Sequence, residues 1–579
     1  MQIDKIENFP TFKKVRKNWD YVYAADTHAH FFLSWVLLSG LLPMVHEPWL
    51  ILAAKPDTHE PSDYVAFFPL KLTLKKQHGG GFAPQLCMAG NSLDYTGIIC
   101  LPEYEEEVIP AFATYIQQQL VWSSFELKNI LETDTRMALF LRSFSRDSFD
   151  FSQIRIHNEG EDTDNYIAPY VSLPDDWNQY LQNYVSSNTR QKIRRFFRKI
   201  ETSDEFYLTQ VDADNLQSHI EILLKFWESR WRKQKGNECD VIINSVRAIC
   251  LHCFKHNCLY LPVLWQGDRP LGAIANFVDV ERKSMLFVIT GRDRSWNNPP
   301  PGLILHAEAI RYAIKNGFKV YDFLRGNEEY KYSFGPKERH IQHIVVKYKN
   351  PQKKPLDVRT LPLAFNLTVK EHQANQITKA EQGYRQILEV DSNHPEALYG
   401  LGVLMRQKGN YQTAENLLKN LLQVQPNSIK ALFSLGNLYQ TQGQSSQAIE
   451  AYNQVLTLEP DAIAAYNNLG YALQQQGKWE QAIACYQKAL KVKPNCVEAD
   501  VNLGNALHAQ GKLSPDKQAH YAQLNYKLGL ARTKAGDLQT AEVYLQKALE
   551  LNPNCGEVYK SLAEIYKRQQ NFKDAEAAY

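Results

Sequence analysis

Leu-Gly pairs return at one fixed interval over the C-terminal third of this 579-residue chain, at Gly402, Gly436, Gly470 and Gly504. A second glycine follows each at a constant step, at Gly409, Gly443, Gly477 and Gly511. Ala380, Ala414, Ala448 and Ala482 keep the same period, as do Pro426, Pro460 and Pro494. The period falls in the range of about 20–50 residues in which each repeat is one supersecondary unit. The first glycine lets two helices approach, the second ends the first helix in a left-handed conformation, and the proline ends the second helix. A single helical hairpin cannot bury its own apolar face, so the units must stack into a solenoid. The period fails once: the interval from Gly504 to Gly529 is short, and around Ser514-Pro515 most of a second helix is missing, which predicts a kink. It resumes with Leu528-Gly529, Gly536, Ala541 and Pro553 and reaches Ala575 and Tyr579 inside a second helix with no polar capping helix after it. The array is therefore expected either to be cut short there or to be covered by a partner.

The repeat resembles the tetratricopeptide repeat, most closely over Ile463 to Cys496, where Leu469-Gly470, Gly477, Ala482, Tyr486, Ala489 and Pro494 stand at the family's positions. The resemblance implies an array that binds a protein partner. First-helix positions Asn437, Asn467, Asn468, Asn502 and Asn505 would line its concave groove, with ordinary solvated helix surface as the alternative reading. Thr441, Gln475 and Ala509 occupy the places where a basic clamp for a terminal carboxylate would stand.

A chain of 579 residues exceeds what one core supports, so more than one domain is expected. Of the ten tryptophans only Trp479 follows Leu361, which sets the array apart from what comes before it. The net charge of +2 excludes a global field for nucleic acid or an anionic membrane, leaving at most a local patch. Nine scattered cysteines argue for a reducing compartment. The N-terminus lacks the basic-then-apolar order of a signal peptide, and the best apolar stretch, Phe31 to Leu42, is too short to span a bilayer. These features make the cytoplasm the expected location. The expected organisation is a first αβ lobe over 1–170, a second over 171–350, a linker over 351–360 whose Pro351 and Pro355 disfavour helix, and the array over 361–579.

In the second lobe, apolar runs Leu259–Trp265, Leu271–Val278 and Ser284–Thr290 are separated by turn residues and read as hairpin-connected strands. A proline loop (Pro299, Pro300, Pro301, Gly302) then opens a helix marked by Leu303, Ala307, Ile310 and Ile314, and Lys319–Leu324 returns as a strand. The segments LPDDWNQYL, TRQKIRRFFRKIE, LGAIANF, the PPPG-started helix and GFKVYDFLRGNEEYKYSFG resemble the CelD/BcsL, BioF2-like branch of the GNAT acyltransferases, relatives of the FemABX aminoacyl transferases, over roughly Asp20 to Lys349. The fold class expected is an α+β double GNAT-like lobe followed by an all-α tetratricopeptide solenoid. The resemblance implies an acyl-CoA donor, acetyl-CoA first, or an aminoacyl-tRNA, and an amine or hydroxyl on a small molecule or glycan precursor as acceptor. The loop usual for acetyltransferases, R/Q-x-x-G-x-G/A, is replaced by Gly291-Arg292-Asp293-Arg294 running on to Gly302.

On that reading Asp322 takes a proton from the acceptor and Tyr330 returns one to the leaving thiolate. Arg292, Gly302 and Leu303 hold the donor phosphates at the helix start, while Arg325, Lys331, Arg190 and Arg194 offer charge to donor or acceptor. The competing readings are an Asp322–Arg325 ion pair that steadies a loop, an amphipathic solvated face for the helix of Arg190 to Lys199, and a core or rim place for His306. Cys239, Cys250, Cys253 and Cys258 with His252 and His256 lack zinc spacing, and no metal is expected. The rival to an enzyme is a scaffold in which the GNAT module is degenerate and only the array acts; recognition of tRNA by the basic helix is a weaker third.

Overall fold

The computed structural model describes all residues except 58–62, 90–93, 156, 159–162, 203, 297–299, 350–354, 572–573 and 576–579. The linker proline Pro351, the loop proline Pro299 and the chain end at Tyr579 lie outside the described residues. Residues 1–78 with 82–364 form one compact unit, and residues 365 onward form the body of the second.

The first unit begins with β1 (Gln2–Ile6), α1 (Phe9–Lys14), α2 (Arg16–Ala25), α3 (Trp35–Leu41), β2 (Trp49–Lys55), β3 (Ala66–Lys76), β4 (Phe82–Met88), β5 (Ile99–Cys100), α4 (Glu105–Gln119), β6 (Ser124–Leu131), α5 (Thr135–Arg142) and β7 (Phe149–Gln153). A small hairpin, β8 (His157–Asn158) and β9 (Thr163–Asp164), leads to β10 (Ile167–Ser172), α6 (Trp177–Tyr184), α7 (Ser187–Thr202), β11 (Phe206–Thr209), α8 (Leu216–Lys235) and α9 (Glu238–Lys255). Then come β12 (Leu259–Tyr260), β13 (Val263–Gln266), β14 (Arg269–Asp279), β15 (Ser284–Arg292), α10 (Pro301–Lys315), β16 (Val320–Asp322), α11 (Glu329–Tyr332) and β17 (Lys337–Tyr348). The apolar stretch after Phe31 holds a short buried helix that ends before Pro43.

Among the described residues fifteen strands make one sheet, ordered β1-β2-β3-β4-β6-β17-β10-β16-β15-β14-β13-β11, with β5, β7 and β12 on side branches. The same motif occurs twice. Antiparallel β2-β3-β4 cross through α4 to β6, which lies parallel to β4; antiparallel β13-β14-β15 cross through α10 to β16, which lies parallel to β15. A parallel neighbour demands such a crossover, and the helix covers the sheet face. β17 belongs to both halves: Lys337–His340 pair with β10, and Ile341–Tyr348 pair with β6 and β7. A cut at residue 170 would therefore not release the first lobe whole, because the last strand of the second closes it. Trp19, Trp122, Phe67 and Phe68 fill the first core, and Tyr180, Ile274, Ile304 and Tyr321 the second.

The second unit is a run of helices: α12 (Leu361–Gln373), α13 (Ile377–Val390), α14 (Pro395–Gln407), α15 (Tyr411–Val424), α16 (Ile429–Thr441), α17 (Ser445–Leu458), α18 (Ile463–Gln475), α19 (Trp479–Val492), α20 (Val497–Ala509), α21 (Pro515–Lys534), α22 (Leu538–Leu551) and α23 (Gly556–Arg568). In these hairpins the first-helix glycine faces a side chain of the second helix at a constant offset. A Cβ on Gly436 would come within 2.5 Å of the Tyr452 ring and one on Gly470 within 2.6 Å of the Tyr486 ring; Gly402 and Gly529 meet Leu418 and Leu545 at 3.2 and 2.8 Å. The glycine is a socket, and the ring or leucine is its plug.

The irregular stretch departs from expectation. No helix has been lost; two have fused. The 20-residue α21 begins as the partner of α20, with Tyr521 plugged against Gly504, and continues as the first helix of the next hairpin, where Gly529 receives Leu545 of α22. The missing residues are those of the turn between two helices and of their adjoining ends. Among the described residues no helix is long and apolar enough to cross a membrane.

Candidate active site

β15 is paired with β14 along its length, from Asp279↔Ser284 to Gly272↔Arg292. On its other edge it meets β16 at three pairs only, Ser284↔Val320, Met285↔Tyr321 and Leu286↔Asp322. From Phe287 to Arg292 that second edge has no strand partner among the described residues. The two parallel strands thus form a fork, and β15 offers a row of main-chain donors and acceptors that an amide-bearing chain can join as an added strand.

The open end of the fork leads to the start of α10. Pro301 stands at the first helical position, where its missing N–H costs nothing, and Pro300 at the N-cap supplies no side-chain acceptor. The first turn carries no acidic residue. Arg292 runs beside it, its Cδ 3.8 Å from where a Gly302 Cβ would lie. Burial, followed by the charges of Arg230 and Arg294, holds the Arg292 guanidinium below the ordinary arginine range. Arg292 thus stands beside the N-terminus of α10, with the charges of Arg230 and Arg294 close enough to act on it, and the helix dipole adds to that positive field. Gly291 explains how α8 brings Arg230 there: a Cβ on Gly291 would lie 2.6 Å from the Leu223 carbonyl oxygen and 2.7 Å from Phe226 Cβ, so only glycine lets the helix sit directly on the strand.

The first lobe carries the same crossover without this chemistry. The first turn of α4 holds Glu105, Glu106 and Glu107. Arg136 is fully buried and committed to Glu105 and to Asp26, the latter 2.6 Å away. A phosphate would be repelled there.

The residues singled out from the sequence divide. Arg292, Gly302 and Leu303 come together at the fork mouth, where Leu303 N–H donates to the Pro300 carbonyl at 3.0 Å. Asp322 does not stand ready as a base. Its buried carboxylate accepts from Tyr95 O–H at 3.0 Å and Leu324 N–H at 2.9 Å and pairs with Arg339 at 3.1 Å. Burial raises its pKa while Arg339 opposes that rise. It is a strut joining the lobes. Arg325 is not its partner but pairs with Asp94 at 2.7 Å and donates to Asn129 at 3.2 Å. Lys331, 1% exposed, donates to the carbonyls of Arg325 and Gly326 at 2.8 and 2.9 Å and pairs with Glu328, so it staples its own loop instead of meeting a phosphate. Arg190 caps α6 through the Leu181 and Gln182 carbonyls at 3.3 and 3.1 Å, and Arg194 lies on the exposed face of α7. Tyr330 is 41% exposed beside the fork. Cys239 and Cys250 are packed in the apolar cluster under α8, and Cys253 in the one between the lobes.

Against a role as base, the sequence favours a core or rim place for His306; the structure puts it at the vertex of the fork. His306 lies within a fully buried stretch of α10, from Ile304 to Ile310. Its ring centroid is 4.6 Å from that of Phe287 and 5.4 Å from that of Phe323, the first residues of each strand beyond the last strand pair, and 5.4 Å from that of Tyr330. His306 Nδ1 is 3.1 Å from the Tyr321 hydroxyl, which donates to Asn276 Oδ1 at 2.9 Å. Burial, reinforced by Lys331, lowers the His306 pKa to about 3 and keeps it neutral. A lone histidine on an apolar helix face reads as core; its partners on β14 and β16 are set by pairing that no local pattern displays.

In the array, the asparagines expected to line the groove satisfy one another. Asn437 Oδ1 accepts from Tyr452 O–H at 2.7 Å and from Asn468 at 2.9 Å; Asn467 accepts from Asn502 at 2.9 Å. Asn505 is buried in a reciprocal pair with Asn525. Asn437, Asn467, Asn468 and Asn502 form a ladder between repeats and remain partly exposed, whereas Asn505 is buried.

Residues 187–332 match the family model described as an acetyltransferase (GNAT) domain. Tetratricopeptide repeat models match 393–458, 441–477, 463–496 and 532–579. No curated protein matches the chain. Solved structures similar to it include MamA (23% identity, TM-score 0.26, covering 34% of this chain and 92% of that one) and MamA residues 41 to the end from Desulfovibrio magneticus RS-1 (21%, 0.26, 34% and 96%). YrrB, a TPR protein with an unusual peptide-binding site, is another (18%, 0.25, 33% and 86%). The chain therefore joins a domain of the acetyltransferase (GNAT) type, centred on the fork of β15 and β16, to an array of tetratricopeptide repeats.

Proposed function

We propose that the second lobe transfers an acyl group from an acyl-CoA to an amine or hydroxyl acceptor, and that the array holds a protein that brings the acceptor close. The observation that carries this reading is the fork: a strand edge without a strand partner among the described residues, leading from an aromatic vertex to a helix N-terminus beside Arg292, on which the charges of Arg230 and Arg294 act. A pantetheine arm has the amides to add along β15, and the phosphates of the donor suit the arginines, which leaves its thioester at the vertex. The acceptor nitrogen or oxygen attacks the thioester carbonyl, the C–S bond breaks, and the acceptor's proton ends on sulfur. Tyr330, at the exposed side of the vertex, gives its phenolic proton to the thiolate and recovers one from the product. Acetyl-CoA is the first donor to test, ahead of longer acyl-CoAs and an aminoacyl-tRNA. Tethering the acceptor's carrier to the array raises its effective concentration without any contact in the site.

Calorimetric titration of the full chain with acetyl-CoA, longer acyl-CoAs and an aminoacyl-tRNA tests the reading. Binding that weakens about tenfold or more in Arg292→Glu and in Arg230→Glu is expected. Absence of binding to every donor would leave a scaffold in place of an enzyme.

A further inference from the structure

His306 contains a buried polar atom that no group among the described residues meets. Its Nδ1 is engaged with Tyr321, whereas Nε2, equally buried, has no hydrogen-bond partner among the described residues. The side chain is 1% exposed, and an unmet polar group in such a place costs about 1–3 kcal/mol.

The state of that nitrogen is tied to the Tyr321 hydroxyl and the Asn276 amide beside it. The Tyr321 hydroxyl has one proton; with the Asn276 amide placed so that Oδ1 faces Tyr321 at 2.9 Å, that proton goes to the amide oxygen, and Asn276 Nδ2 is then itself buried with no partner among the described residues. With the amide in that orientation the 3.1 Å contact between Tyr321 and His306 Nδ1 uses a proton on the histidine, and this is the tautomer taken in the proposal below. In a neutral ring this leaves Nε2 bare, with its lone pair unused. The lone pair belongs to a ring boxed by Phe287, Phe323, Phe334 and Tyr330, with centroid separations of 4.6 to 5.5 Å. Three of those walls are buried phenylalanines, and the fourth, Tyr330, meets solvent. The place is the vertex where β15 and β16 part company.

We propose that His306 Nε2 is the hydrogen-bond acceptor for the attacking N–H or O–H of the acyl acceptor, held in that tautomer by Tyr321 and Asn276 and reached past Tyr330. This rests on the acyl-transfer reading above and adds to it a residue that selects and orients the nucleophile. An acceptor with no hydrogen to donate would leave Nε2 unmet, so primary amines and alcohols are favoured over tertiary amines. The depressed basicity serves the role, since the lone pair stays available throughout the neutral range.

Three variants and one spectrum test this. In His306→Phe, the second-order rate constant for the acceptor should fall about 30- to 100-fold while the donor dissociation constant stays within about twofold. His306→Gln, which keeps an acceptor near Nε2, should recover most of the loss, and Tyr321→Phe should lose about tenfold. Nitrogen-15 spectra of the full chain, with His306 assigned from its loss in the Gln variant, should give a neutral Nδ1–H ring from pH 6 to 8. Equal kinetics in His306→Phe and wild type would overturn the proposal, as would parallel loss of donor binding, which marks a structural histidine. A protonated Nε2 in the spectrum overturns it whether or not any thioester is a substrate. If wild type binds and transfers from no thioester while the Nδ1–H tautomer is found, the acyl-transfer reading fails and takes the acceptor role of His306 with it.

Discussion

Substituting Gly470 by alanine tests whether the array is held together by sockets and plugs. The new Cβ would stand 2.6 Å from the Tyr486 ring, which is fully buried and has nowhere simple to go. Overpacking a core by one methyl costs about 1–3 kcal/mol, and a contact this short against a rigid ring belongs at the upper end. Alanine returns about 1 kcal/mol through helix propensity. The net is about 2 kcal/mol, which lowers hydrogen-exchange protection about 30-fold at roughly 1.4 kcal/mol per decade. The chain contains its own control, because Leu418 and Leu545 serve as plugs at the same offset from their glycines. Combined with Tyr486→Leu, Gly470→Ala should keep its propensity gain and shed the clash, becoming neutral or mildly stabilising. Exchange of peptides from α18 and α19 in the full-length protein, measured for both singles and the double variant, gives the coupling. Loss of protection below about twofold in Gly470→Ala, or an equal effect of that change with and without Tyr486→Leu, would refute the argument.

Two further outcomes follow from the first unit. Asp322→Ala leaves Arg339 and Tyr95 without their shared partner and should destabilise the unit by about 3–5 kcal/mol in denaturant melts, whereas Asp322→Asn keeps an acceptor for Tyr95 and should retain acyl transfer per folded molecule within about threefold, which a base could not. His306 and His30 have folded-state pKa values lowered by burial to about 3 and about 4. Below the ordinary histidine value of 6.5 the unfolded chain takes up protons that the fold refuses. Stability should therefore fall with falling pH by about 1.4 kcal/mol per pH unit for each group until its folded pKa is passed. His306→Phe should remove one group's share of that slope in urea melts run from pH 7 to pH 5.

The array is legible because a fixed period writes the same contact many times, so that Gly470 and Tyr486 announce one another through their copies. The fusion in α21 escapes a sequence reading because a short interval looks like deletion. The available sign that the plug is kept is the spacing of Gly504 and Tyr521, one position longer than that of Gly470 and Tyr486. In the first unit, strand order and the Arg292–Gly302 mouth can be read locally. The fate of Asp322 cannot, since Tyr95 lies 227 residues upstream and Arg339 sits on another strand. Nearness in sequence puts Arg325 and Lys331 beside it, but each turns to a different neighbour. His306 is hard to read for the same reason: its meaning depends on Asn276 and Tyr321, brought to it only when β14, β15 and β16 align.

The double ownership of β17 has a consequence for the birth of the molecule. Residues 337–348 are the last strand of the first unit to leave the ribosome, and neither half-sheet is whole until they arrive. The first lobe, although its other strands end at Gln153, must wait for the whole second lobe to be made before β6 and β7 gain the neighbour that lies between them. During synthesis both halves expose raw sheet edges, a state that invites holding by chaperones. Their folding is then committed in one event, and a nascent chain stopped before Lys337 spoils two lobes at once.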